Sequence, residues 1–124
     1  MEVLTCPEDN DCQGIVVDDD IDALDSLSEL LELKGISVIG KGTNGEEAYQ
    51  LYKLCHPKFV ILDMKMPKYD GAYAIKKIKN DDPNAKIIVL SGYTDFKIDQ
   101  DEVTAVMLKP YDVKKVINLI EGIC

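Results

Sequence analysis

Phe59-Val60-Ile61-Leu62-Asp63-Met64-Lys65-Met66-Pro67 packs four apolar residues into a run that stops at a carboxylate and is closed by a proline. Such a run is too short for a buried helix and has no polar alternation, so it reads as a strand covered on both faces. Four further stretches have the same character: Ile15-Val16-Val17, Ile36-Ser37-Val38-Ile39, Ile87-Ile88-Val89-Leu90 and Thr104-Ala105-Val106-Met107-Leu108. Between them the period changes to that of helices. Ile21, Leu24, Leu27 and Leu31 recur at three or four residues behind an Asp cluster able to cap a helix, and Gly35 supplies the stop. Thr43-Asn44-Gly45-Glu46 has capping-box spacing ahead of Ala48, Leu51, Tyr52 and Cys55, and Pro57 forbids continuation past His56. Ala74, Ile75 and Ile78, and later Val113, Val116, Ile117 and Ile120, mark two more helices. Strands and helices in alternation predict an α/β fold with a doubly wound, five-stranded parallel sheet. The segment from Tyr93 to Glu102 offers only Phe96 and Ile98 for burial, so the helix expected there, the fourth in order, is truncated or irregular.

The chain has 124 residues, 46% of them hydrophobic, with 14 basic against 23 acidic side chains and a net charge of −9. That suffices for one cored domain. Residues 1–13 hold four acids and no base and read as an acidic N-terminal extension, leaving residues 14–124 as the domain. No apolar run approaches the roughly 20 residues of a membrane span, so no membrane insertion is expected. No basic, apolar leader precedes the domain, which makes the cytoplasm the expected location. The negative balance argues against nucleic acid as a direct partner. Cys6, Cys12, Cys55 and Cys124 form no Cys-x-x-Cys motif and are expected as reduced thiols. A Cys6–Cys12 bridge and a zinc site at Cys6, Cys12, Cys55 and His56 are the weaker alternatives.

Parallel strands place whatever follows each run on one edge of the sheet. There the sequence sets Asp18, Asp19 and Asp20, then Asp63, then Ser91, then Lys109. Taken singly, each has a plain role as cap, turn residue or solvated charge. Together, carboxylates about 5 Å apart repel by roughly 3 kcal/mol per pair at an effective dielectric near 20, and something must offset that. Mg²⁺ does so with few carboxylates and open positions for phosphoryl oxygens, while Lys109 and Ser91 can hold further oxygens.

Val16-Val17-Asp18-Asp19-Asp20, Ile61-Leu62-Asp63-Met64-Lys65-Met66-Pro67 with Asp70-Gly71, Val89-Leu90-Ser91-Gly92 and Lys109-Pro110-Tyr111 together resemble the response-regulator receiver domain of two-component signalling, the CheY-like type. The likeness runs from about Gly14 to the C-terminus. It implies the flavodoxin-like strand order 2-1-3-4-5, for which CheY is a standard example. It implies Asp63 as phosphoacceptor from a sensor histidine kinase or phosphotransfer protein, with Lys109 and Ser91 completing the chemistry. Mg²⁺ would be held by Asp19, Asp63 and the backbone carbonyl of Lys65, with Asp18 helping mostly through water, Asp20 a helix cap and the Lys109-Pro110 bond cis. The chain would be a phosphoacceptor and not a turnover enzyme, signalling to a downstream protein target by contact, since only one helix follows Lys109-Pro110. Two departures bear on output: Val106 stands where the family carries a switching aromatic, and the segment between Ser91 and Lys109 is short. Tyr93 and Lys65 are expected to flank the phosphoryl group. Two other readings fit parts of the pattern. A pseudo-receiver would use the fold without phosphorylation, and a haloacid-dehalogenase-like phosphatase would use Asp18 as nucleophile and Asp20 as acid but leaves the Asp63 motif unexplained.

Overall fold

Strands buried on both faces need apolar side chains at nearly every position, and the runs at 15–17, 59–62 and 87–90 meet that need, while the two edge runs are less buried, in a computed structural model that describes residues 2–3, 12–92 and 102–124. The runs become β2 (Gln13–Val17), β3 (Ser37–Gly42), β4 (Phe59–Asp63), β5 (Ile87–Ser91) and β6 (Ala105–Leu108). They pair in parallel in the order β3-β2-β4-β5-β6, which is the order 2-1-3-4-5 for these five strands. Alternate side chains feed two cores. Ile15, Val17, Val60, Leu62, Ile87 and Val89 face α2 (Gly45–Cys55) and α3 (Gly71–Asp81). Val16, Phe59, Ile61, Ile88 and Leu90 face α1 (Ile21–Leu33) and α4 (Val113–Ile123). The helices pack the stripes read from the sequence: Leu24, Leu27 and Leu31 on α1, Ala48, Leu51 and Tyr52 on α2, Ala74, Ile75 and Ile78 on α3, and Val116, Ile117 and Ile120 on α4.

Side chains set most helix ends. Asp20 accepts from the backbone N–H of Asp22 and Ala23, Asp70 from Tyr73, and Asp112 from Lys114. The capping box of α2 lies one residue later than its sequence spacing suggests. Asn44 is the cap, accepting from the Glu47 N–H at 2.9 Å, and Glu47 reaches back to the Thr43 N–H at 2.8 Å. The reason is reach: the third helical residue after Asn44 is Glu47, whereas Glu46 points outward to Tyr73 and Gln50. His56 closes α2 in the left-handed region at φ 46°, ahead of Pro57.

Two expectations meet the structure differently, and a third lies mostly outside the described residues. Glu2 and Val3, assigned to the extension, form β1 (Glu2–Val3), antiparallel to Lys41 and Gly40 of β3, and Gln13 belongs to β2. An open sheet edge accepts an extended segment through its backbone, a match that charge pattern does not reveal. The irregular fourth helix is expected over residues 93–102, of which 93–101 lie outside the described residues.

The second difference is covalent. Cys12 and Cys124 form a disulfide across a sequence separation of 112, with Cα atoms 5.5 Å apart. Cys55 is disulfide-bonded as well. The expectation of reduced thiols is thereby corrected, as is a Cys6–Cys12 bridge, because the start of β2 and the end of α4 lie side by side. A zinc site needing the Cys12 and Cys55 thiolates is corrected with it.

Candidate functional site

The winding of the sheet reverses between β2 and β4, and in doubly wound folds such a switch point opens a crevice at the carboxyl edge. β2 runs directly into Asp18 and Asp19, and β4 ends on Asp63. One carboxylate oxygen from each of these three residues lies within 4.8 Å of the others, a spacing that suits a single hard cation. Asp18 and Asp63 are buried while Asp19 is exposed, so the cluster has a closed floor and an open mouth.

β6 brings the neutralising charge. Its register sets Leu108 opposite Ser91, and the Lys109 N–H donates to the Ser91 carbonyl at 2.6 Å. The Lys109 ammonium then lies 3.2 Å from Asp18 Oδ2 and 3.6 Å from Asp63 Oδ2. The Lys109-Pro110 peptide is cis, as the resemblance implies. Ser91 is buried at the end of β5, beside Leu90, the register partner of Asp63. Asp18 is further held at both ends: its N–H donates to the Gly42 carbonyl at 3.1 Å, and its Oδ1 accepts from the Asp20 N–H at 3.0 Å. Asp20, the acid of the phosphatase reading, is engaged as the N-cap of α1. Lys65 contributes its backbone N–H to the Asp63 carboxylate, while its side chain is exposed. Tyr93 lies outside the described residues, and Val106 packs half-buried against the α2–α3 core.

Electrostatics at the cluster are unbalanced. Burial raises the Asp63 carboxyl above its ordinary range; Lys109 pulls it down, and Asp18 pushes it up again. Lys109 is raised despite its burial, because Asp18 and Asp63 together outweigh the loss of solvent. An acid whose folded pKa exceeds its unfolded value costs stability when ionised, and that cost vanishes below the unfolded value of about 3.9. Asp63→Asn is therefore expected to stabilise the metal-free protein at neutral pH by on the order of 1 kcal/mol. Paired melting curves at neutral pH and below pH of about 4 check this; a variant no more stable at neutral pH would refute the strain.

Gly71, part of the Asp70-Gly71 motif, and Gly45, part of the capping stretch before α2, hold the loop 64–70. The Gly71 N–H donates to the Met64 carbonyl at 2.9 Å, and a Cβ at Gly71 would sit 2.6 Å from the Met64 sulfur and 2.8 Å from the Asp63 carbonyl oxygen. At the other end the Gly45 N–H donates to the Tyr69 carbonyl at 2.6 Å, and a Cβ there would run into the Asp70 carbonyl oxygen. The sequence placed each glycine at a helix start, and Gly71 in the motif with Asp70, but showed nothing of the backbone that each approaches.

Against known proteins, the family model described as "Response regulator receiver domain" matches residues 15–121. The chain belongs to this family. The receiver domain is 33% identical over 113 residues to the chemotaxis protein CheY of Thermotoga maritima, covering 88% of this chain and 94% of that one. It is 36% identical over 115 residues to the uncharacterized transcriptional regulatory protein YesN of Bacillus subtilis, where it covers 88% of this chain but spans only 31% of that longer protein. Among solved structures, CheY in the CheX-CheY-BeF3-Mg complex of Borrelia burgdorferi superposes with a TM-score of 0.81 at 27% identity, covering 90% of this chain and 87% of that one. The response regulator TrrA of Thermotoga maritima, in complex with Mg²⁺ and BeF, gives 0.81 at 25% identity and 90% and 98% coverage. Receiver domains of this family are signalling proteins rather than turnover enzymes, and among the described residues no helix is long and apolar enough to cross a membrane.

Proposed function

We propose that this receiver domain accepts a phosphoryl group on Asp63 from a phosphohistidine of a sensor kinase or phosphotransfer protein and passes the signal on by contact with a protein. One observation carries the reading: three carboxylates within 4.8 Å of one another with the Lys109 ammonium 3.2 and 3.6 Å from two of them. The donor set is all oxygen and anionic, which fits Mg²⁺, and Asp18, Asp19 and Asp63 would hold the ion with the Lys65 carbonyl. Bound there, the ion neutralises carboxylate charge and polarises phosphoryl oxygens. The Asp63 carboxylate oxygen attacks phosphorus, the phosphorus–nitrogen bond of the donor breaks, the imidazole leaves, and an acyl phosphate forms. Lys109, released from part of its pairing with Asp63, is placed to hold a phosphoryl oxygen, and the Ser91 hydroxyl to donate to another. The two solved relatives carrying Mg²⁺ with BeF3 or BeF support this assignment.

The expected working place is the cytoplasm, where disulfides such as Cys12–Cys124 persist mainly in the proteins of hyperthermophiles. The test is intact mass after incubation with acetyl phosphate and Mg²⁺. The wild type should gain one phosphoryl group, and neither Asp63→Asn nor an EDTA-treated sample should. Equal labelling of Asp63→Asn would move the acceptor elsewhere. Wild type that neither labels nor binds Mg²⁺ would favour an interaction module without phosphorylation.

A further inference from the structure

We propose that the exposed face shared by α2 and α3 is a docking surface for an acidic segment of a partner protein. The face presents three lysines, Lys53 of α2 with Lys76 and Lys77 of α3, against the two acids Glu46 and Asp81 that its tyrosines hold, in a chain whose net charge is −9. On α3 the residues Tyr73, Lys76, Lys77 and Asn80 follow the i, i+3, i+4, i+7 spacing of one helix face and line a cleft of about 420 Å³. On α2 the pair Tyr49 and Lys53 adds a second stripe, and the Lys77 ammonium joins the two, 5.9 Å from the Tyr49 ring and 5.7 Å from the Tyr73 ring. Lys53 lies 4.8 Å over Tyr49.

This face is more ordered than a solvated run of lysines. The Tyr49 hydroxyl donates to Asp81 at 2.6 Å and the Tyr73 hydroxyl donates to Glu46, so both rings are fixed by their polar ends. Tyr73 ionises only at about 12 as a result, led by its bond to Glu46, and stays neutral at any working pH. Fixed phenol rings flanked by ammonium groups give flat contact area at small entropic cost, with charge for register. Among the described residues Lys53, Lys76 and Lys77 form no close ion pair; Lys53 and Lys77 feel the Glu46 carboxylate at longer range, and all three side chains are exposed to a ligand.

The chemistry of the occupant follows from what surrounds the patch. A nucleic acid carries a closely spaced line of phosphates, which would run from this small positive face onto the acidic remainder and past Glu46 and Asp81. A protein segment with a few carboxylates beside apolar side chains can place its charges against Lys53, Lys76 and Lys77 alone. It would lay its apolar groups on the two rings.

Amide chemical-shift mapping of the full isotope-labelled chain tests this, with a synthetic amphipathic peptide of Glu and Leu as one probe and a thymidine oligonucleotide as the other. The expected shifts cluster at Tyr49, Lys53, Tyr73, Lys76, Lys77 and Asn80. Affinity should fall several-fold between about 50 and about 200 mM salt and roughly tenfold in a Lys76→Glu/Lys77→Glu variant. Acetyl phosphate labelling of that variant should match wild type, since the substitutions lie outside the Asp63 site, which separates this result from the fate of the phosphorylation reading. Peptide shifts that fall elsewhere, that survive the charge reversal or that do not occur would overturn the proposal. So would tighter binding of the oligonucleotide on the same residues.

Discussion

A Cys12→Ser/Cys124→Ser variant is expected to melt on the order of 15 °C below the parent protein. The bond joins residues separated by 112 positions, so it closes nearly the whole described chain into a loop. In the chain-entropy picture, releasing a loop of that length returns about 4.7 kcal/mol of freedom to the unfolded state. The native state should change little, because Val116, Ile117 and Ile120 remain buried against the sheet and keep α4 in place. Cys12 is half-buried beside β2 and Cys124 is exposed at the end of α4, so a dithiol should produce at least as large a loss in the wild type, since it also reduces the bridge at Cys55. The double-serine variant isolates this bridge from the one at Cys55. Scanning calorimetry of parent, variant and reduced parent decides the matter; melting temperatures within a degree or two of one another would show that the bridge adds nothing to the fold.

Gly71→Ala is expected to cost about 3 kcal/mol and to slow phosphoryl acceptance at Asp63 by roughly a hundredfold. An added methyl group would meet the Met64 sulfur at 2.6 Å and the Asp63 carbonyl oxygen at 2.8 Å, and no real side chain tolerates such contacts. Met64 is buried and the Asp63 carbonyl is main chain, so relief is expected to shift the end of β4, which carries the proposed acceptor carboxylate. A displacement near 1 Å is enough to ruin a reacting geometry without unfolding the domain. The rate of acetyl phosphate labelling, measured beside the melting temperature, separates the two effects. Wild-type labelling kinetics in a folded Gly71→Ala protein would show that the loop yields without moving Asp63.

Much of the site was legible because its placement is a property of strand ends. Asp18, Asp19, Asp63, Ser91 and Lys109 each follow an apolar run, and a parallel sheet puts every such position on one edge. The convergence of Asp18, Asp19 and Asp63 within 4.8 Å needed only that rule and the strand order. The exact pairing of Lys109, closer to Asp18 than to Asp63, did not follow from it. That preference depends on where β6 places the lysine relative to two acids on different strands.

Sequence alone carried the period of each element, the Asp20 cap of α1 and the edge on which the chemistry gathers. Those are matters of a few neighbouring residues, and the Asp70 and Asp112 caps, equally local, went unread. Only the tertiary structure decided that Cys12 meets Cys124, that Glu2 and Val3 extend the sheet, and that Gly45 and Gly71 must lack a side chain. It alone set the lysines of α3 over the rings of Tyr49 and Tyr73. Each of these depends on which distant elements become neighbours, and local periodicity constrains the faces of an element without naming what will lie against them.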